Sequence, residues 1–280
     1  MKKVGIIGQG FVGTAIKEGI DVYYDVLTYD LDSSKCNSDL RGLIEKCDII
    51  FQCLPTPMKA DGRCDLNIVR KSLYNIDKIS SYNNKKPIVV IKSTVPPGTT
   101  ELLNEENENL FVIFSPEFLT EANHIEDFKN QTRIILGGPR PHTTRVKTLL
   151  RRAFPRIPIV KTGYRTAEMV KYFLNNFLTM KVMFANEMYQ ICTEMGIDYD
   201  KVTEYSLYDQ RVGPTHLAVP GPDGQFGYGG HCFPKDIAAM IYLAEKLGID
   251  PEILKSAQSK NDKLREKKDW LEMKGRAVSN

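Results

Sequence analysis

Seven short apolar runs punctuate the first part of the chain: VGII (4–7), VLTY (26–29), DIIFQCL (48–54), PIVVIKS (87–93), LFVIF (110–114), RIIL (133–136) and IPIV (157–160). The stretches between them have helical character. Such alternation predicts a mainly parallel sheet with helices on both faces, so ligands should gather beyond the carboxyl ends of its strands. After Gly163 the pattern changes. A segment from about Arg165 to Met195, rich in Met, Phe, Leu, Ala, Asn and Lys, runs without Pro or Gly until Gly196 closes it. It predicts one long helix opening a helical second domain, with residues 1–163 forming the first domain and 164–280 the second.

A Pro/Gly-rich loop, VPGPDGQFGYGG (219–230), precedes a helix predicted from about Pro234 to Leu247 and stopped by Gly248. The highly charged tail from Ser256 to Lys274 reads as a solvent-facing helix. No internal repeat or low-complexity tract is present.

Composition narrows the function classes. The 38 basic residues nearly balance the 35 acidic ones, and no Lys/Arg block is long enough for a nucleic-acid stripe. The start MKKVGIIGQGFVG is broken by glycines and Gln9 too early for a signal peptide. No apolar run approaches the roughly 20 residues of a membrane span. The six cysteines (36, 47, 53, 64, 192, 232) form no CxxC pair, which argues against a zinc site or a disulfide framework and for a reducing, cytoplasmic setting.

Two regions carry candidate chemistry. GQGFVG, Gly8 to Gly13, follows the first predicted strand and opens a helix: Gly8 permits a tight turn, Gly10 a close backbone approach to pyrophosphate, and Gly13 close packing of helix on strand. Asp30 ends the second strand 22 residues after Gly8, where its carboxylate can bond both ribose hydroxyls and repel a 2′-phosphate, favouring NAD over NADP. The competing reading is a simple Asp30/Asp32 turn.

Three segments place polar residues four apart, on one face if helical: Glu117 and Glu121, Lys171 and Asn175, Cys232 and Asp236. Each could be a solvated helix face. Lys171 and Asn175 stand out because Met169, Val170, Phe173, Leu174 and Phe177 predict a largely buried helix, where Lys and Asn need partners. Cys232 stands just before a helix start and beside Lys235, a setting that favours a thiolate, whereas the other five cysteines read as small apolar fillers.

Seven segments in order, GQGFVG, the TP step at Thr56 and Pro57, KSTVPPGTT (92–100), SPEFLTEA (115–122), KYFLN (171–175), QRVG (210–213) and FGYGGHCFPKD (226–236), resemble the UDP-glucose/GDP-mannose dehydrogenase family from Met1 to about Asn261. The resemblance implies an α/β fold, a Rossmann-type doubly wound parallel sheet followed by an all-helical dimerisation domain. It also implies NAD-dependent oxidation of a sugar-nucleotide primary alcohol to the acid. Cys232 would capture the aldehyde as a thiohemiacetal and then carry a thioester. Lys171 and Asn175 would stabilise and orient the developing oxyanion, Glu121 would be the base for hydrolysis, and Thr94 and Asp236 would hold water and share protons.

Gly8, Gly10, Phe11, Val12, Gly13, Asp30, Thr56, Pro57, Thr94, Glu121 and Lys235 would contact the cofactor. Glu117, Phe118, Leu119, Lys171, Asn175, Arg211, Phe226, Tyr228 and Gly229 would contact the substrate, the Phe226–Gly230 loop through backbone amides and Arg211 from a neighbouring subunit. A homodimer built on the long helix is implied. UDP-glucose is the substrate the FGYGG wording favours. No metal, nucleic-acid or membrane partner is expected. Family members usually carry a third domain completing the nucleotide side of the site, and nothing in these residues corresponds to it. Two other readings stay open: a two-electron hydroxyacid dehydrogenase sharing the KxxxN helix, for which Cys232 and Glu121 would be superfluous, and a non-catalytic NAD-binding subunit.

Overall fold

A computed structural model describes residues 1–279. They divide into two compact units, one of residues 1–56 and 65–171, the other of 57–64 and 172–279.

All seven apolar runs become strands: β1 (Lys3–Ile7), β2 (Asp25–Tyr29), β3 (Ile49–Gln52), β4 (Ile88–Ile91), β5 (Phe111–Phe114), β6 (Ile134–Gly137) and β7 (Ile159–Thr162). They form one sheet in the order β2-β1-β3-β4-β5-β6-β7, parallel except for the short antiparallel step from β5 to β6. Side chains alternate between two buried faces, as a sheet covered on both sides requires. Val4, Ile6, Phe51, Ile88 and Val90 pack on one face with Ile16 and Ile20 of α1 (Phe11–Ile20). Ile50, Val89 and Ile91 pack on the other with Leu43 of α2 (Leu40–Lys46) and Val69, Leu73 and Ile76 of α3 (Asn67–Tyr82). Three further helices complete the layers: α4 (Thr99–Glu105), α5 (His124–Lys129) and α6 (Arg140–Ala153).

The long helix is α7 (Tyr164–Met195), whose first eight residues belong to the first unit and the remainder to the second. Lys171 and Asn175 are buried on it, but Met169, Phe173 and Phe177 are exposed, with the two phenylalanine rings stacked on each other. The helix is therefore not buried all round: its apolar residues occupy two faces, and the sequence reading did not separate them.

The second unit continues with α8 (Tyr199–Ser206), α9 (Phe233–Lys246) and α10 (Glu252–Leu264). Met183, Tyr228, Ile237, Ile241 and Ala257 form its central cluster. The charged tail departs from expectation. The helix stops at Leu264, and Arg265 and Trp270 are both buried. Counting charges along the sequence misses this because Arg265 is neutralised by Asp223, 42 positions away, as well as by Asp269. Beyond it, Ala277 and Ser279 hydrogen-bond to Met58 of the 57–64 excursion.

Candidate active site

In the first unit the glycine loop lies at the carboxyl end of β1. Gly8 has φ +92°, and a Cβ there would stand 2.3 Å from the Cys53 carbonyl oxygen. A Cβ on Gly13 would stand 1.9 Å from the Gly8 carbonyl oxygen, whereas one on Gly10 would meet nothing within 4 Å. The loop is thus closed on its protein side and open at Gly10, which lets a phosphate approach the backbone.

Asp30 accepts the Gln9 amide (2.6 Å) through one carboxylate oxygen and the Asp32 amide (3.0 Å) through the other. The carboxylate is fixed beside the loop and borders a cleft of about 620 Å³ lined by Tyr29, Asp30, Leu31, Ser33, Cys36, Asn37, Ser38 and Asp39. A cleft of that size, with an oriented carboxylate at its edge, suits an adenosine. These residues fit NAD. Phe11 meets His124 edge-on at 5.1 Å, and Val12 packs against the sheet. Cys36 is more than an apolar filler, since its sulfur accepts the Asp30 amide (3.0 Å).

The ends of β3 and β4 are tied together. Ser93 Oγ donates to the Leu54 carbonyl (2.5 Å), and the Thr56 hydroxyl donates to the carbonyl of buried Thr94 (2.8 Å). Pro57 is buried and opens the excursion assigned to the second unit. SPEFLTEA is an irregular loop rather than helix, because Ser115 continues the β5 ladder and Pro116 follows it. Glu117 and Glu121 consequently do not share a helical face. Glu121 is exposed. Glu117 binds Lys171, whose Nζ donates to its carboxylate (3.0 Å) and to its carbonyl (2.8 Å).

Burial would push Glu117 upward, but Lys171 and the Leu119 amide (2.6 Å), with help from Lys92, hold it below the usual carboxylate value. The Phe118 ring lies beneath both Arg133 and Lys171, and Leu119 packs against the sheet.

Two residues here escaped the sequence reading. Lys92 is buried and donates to the Pro116 carbonyl (2.9 Å) and Ser115 Oγ (3.2 Å). Burial pushes it down to about 8 against the pull of Glu117. Its signal was available: a lysine directly after an all-apolar strand, at the end of a sheet where ligands gather. Glu168, fully buried, accepts the amides of Gly98 (2.6 Å) and Thr100 (2.7 Å) and so fixes the VPPG turn. A glutamate one helical turn before the KxxxN lysine gives no comparable signal.

In the second unit Cys232 is the N-cap of α9, partly exposed, and its carbonyl accepts the Asp236 amide (3.0 Å) in the first turn. Asp236, 1% exposed, accepts Asn175 Nδ2 through one oxygen and Lys235 Nζ through the other. Burial alone would lower Lys235, but Asp236 above all, then Cys232 and Cys64, drive it well above the ordinary lysine value. Asn175, Asp236 and Lys235 are therefore one buried polar cluster, placed one helical turn from the cysteine.

The Phe226–Gly230 loop is less available than expected. The amides of Gly227, Tyr228 and Gly230 donate to Asn186, Asn261 and Asp269, and the Tyr228 ring lies in the unit's core. Phe226 rests against Tyr189. Arg211 is exposed and paired with Asp209 (2.9 Å). Among the described residues no His/Cys/Asp/Glu group could hold a metal, and no helix is long and apolar enough to cross a membrane.

Comparisons with known proteins agree with this layout. Residues 33–154 match the NAD binding domain of the UDP-glucose/GDP-mannose dehydrogenase family and residues 165–263 its central domain. The UDP-glucose 6-dehydrogenase AglM of Haloferax volcanii is 31% identical, over 93% of this chain and 69% of its own length. YwqF, a UDP-glucose 6-dehydrogenase of Bacillus subtilis, is 31% identical over 92% of this chain and 66% of its own. This chain thus spans about two thirds of the length of these relatives. A UDP-glucose dehydrogenase structure from Pyrobaculum islandicum superposes with a TM-score of 0.85 at 28% identity, over 94% of this chain and 68% of the other. With a glycine loop and an adjoining aspartate that fit NAD, and both family domains matched in order, the chain belongs to the UDP-glucose/GDP-mannose dehydrogenase family.

Proposed function

We propose that this protein oxidises the primary alcohol of a sugar nucleotide, UDP-glucose foremost, to the carboxylate in two successive oxidations, with Cys232 as the nucleophile. The observation that carries the reading is the cysteine at the head of α9, with Lys235 and Asp236 buried in the helix's first turn and Asn175 of α7 bonded to Asp236. A single oxidation of a hydroxyacid would need no thiol.

Gly8 to Gly13 and Asp30 would hold NAD, which supplies the hydride acceptor for each oxidation, one molecule for each. The alcohol carbon becomes an aldehyde, and its hydroxyl proton passes to water. The Cys232 thiolate adds to that carbon, forming a C–S bond, and Lys171 and Asn175 stabilise the negative oxygen. The second oxidation turns this adduct into a thioester. For hydrolysis the resemblance assigns Glu121 as the base, with Thr94 and Asp236 in water binding and proton transfer: water gives up a proton and adds to the thioester carbon, and the C–S bond breaks to return the thiolate. The relatives YwqF and AglM are UDP-glucose 6-dehydrogenases, which supports this substrate class. Exposed Phe173, Phe177, Phe184 and Ile191 along α7 support a homodimer through that helix, because a second copy would cover them.

The test is stoichiometric. Purified protein with limiting UDP-glucose and excess NAD should form two NADH per sugar nucleotide consumed, with UDP-glucuronate as product. One NADH per molecule of a hydroxyacid substrate would support the two-electron reading instead, and bound NAD with no NADH the non-catalytic one.

A further inference from the structure

The loop that leads into Cys232 is gripped from behind. Asn261 Nδ2 donates to the Tyr228 carbonyl (3.1 Å), and its Oδ1 accepts the Tyr228 amide (2.7 Å). Arg265 follows one turn later with its side chain 3% exposed. Its Nη2 donates to Asp223 (2.6 Å), earlier in the loop, and to Asp269 (2.9 Å), while Nε donates to the Lys267 carbonyl (3.0 Å). Asp269 in turn accepts the Gly230 amide (2.9 Å).

The fit leaves no slack. A Cβ on Gly227 would stand 2.2 Å from Asn261 Oδ1, and one on Gly229 would stand 2.2 Å from Arg265 Nη2 and 2.4 Å from Asp269 Oδ1. The Cβ side of both glycines is therefore filled by the chain itself. This replaces the expectation that glycine is needed there to admit a ligand: at these two positions the side chains of 261–269 set the requirement.

We propose that Arg265, with Asp223 and Asp269, is a positioning residue that fixes the Gly229–Gly230 turn, so that Cys232 is presented from a loop ordered before substrate arrives. The guanidinium is suited to this because its planar fork bonds two carboxylates and a carbonyl at once, and a buried arginine so paired has one geometry rather than many. Pre-ordering removes the cost of organising the loop upon binding. Arg265 and Asp269 lie beyond the last residue matched to the family's central domain. The proposal rests on Cys232 being the nucleophile, but its structural half can be tested without turnover.

Hydrogen–deuterium exchange of the 280-residue chain should show the 226–231 amides exchanging at least about tenfold faster in Arg265→Met, with the α7 and sheet amides unchanged. With UDP-glucose the same variant should show KM raised about tenfold or more and NAD affinity unaltered, and Arg265→Lys should recover part of the loss. Asp269→Asn, nearly equal in shape, serves if Arg265→Met fails to fold, and should loosen the same amides. Unchanged loop exchange in a folded variant, or acceleration spread evenly over the chain, would overturn the proposal. If the unsubstituted protein turns over no sugar nucleotide, the proposed function fails while the exchange result still decides the clamp.

Discussion

Cys232→Ser should end acid formation, with the steady-state rate falling by roughly 10⁴-fold or more, the scale seen when a covalent nucleophile is removed. Serine keeps the size and the position at the head of α9, so the fold and NAD binding should persist. A hydroxyl, however, is far less nucleophilic than a thiolate at neutral pH. The first oxidation does not need the thiol, so at most one NADH per sugar nucleotide should accompany an aldehyde-level product. The check is NADH absorbance together with mass analysis of the products and a separate NAD-binding titration. Undiminished uronate production by this variant would remove the covalent step from the account.

Lys171→Met should have two separable effects. The first is on rate: losing the cation proposed to meet the developing oxyanion should lower kcat by about 10²- to 10³-fold. The second is on stability. Glu117, whose side chain is 12% exposed, would lose its charge partner, and a buried carboxylate left unpaired costs about 3–5 kcal/mol. The retained Leu119 amide and the neighbouring Lys92 favour the lower end of that range. Adding Glu117→Gln to Lys171→Met should restore much of the stability, because the stranded charge is gone, and none of the activity. Urea denaturation and kcat on the single and double variants separate the two. Recovery of activity by the double variant would show that Lys171 matters only as Glu117's partner.

Much of the fold was legible because its signals are local. Each strand is a short apolar run bounded by turn residues, and burial on both faces makes such runs continuous rather than alternating, so all seven could be placed. Lys171 and Asn175 were legible for a related reason: polar groups amid apolar neighbours on a helix must find partners, and they do so in Glu117 and Asp236.

What escaped depends on contacts distant in sequence. Arg265 looks like one more surface charge until Asp223 is brought to it. Phe173 and Phe177 count as core residues in a helical pattern, yet they face outward, and no feature of a single chain marks that difference. The spacing of Glu117 and Glu121 imitates a helix that the continuing β5 ladder forbids. The glycines of FGYGG read as room for a ligand, whereas two of them make room for Asn261 and Arg265.

The proposed covalent step can be caught directly with Glu121→Gln, which leaves the nucleophile in place and removes the base assigned to hydrolysis, slowing that step by about 10²-fold or more. The variant would be mixed with NAD and UDP-glucose, quenched in acid and digested, and the cysteine-containing peptides weighed. One glucuronyl thioester per active chain is expected, on the peptide containing Cys232 and released by hydroxylamine. Full uronate turnover with Cys232 unmodified, or an acyl group on any other cysteine, would contradict it.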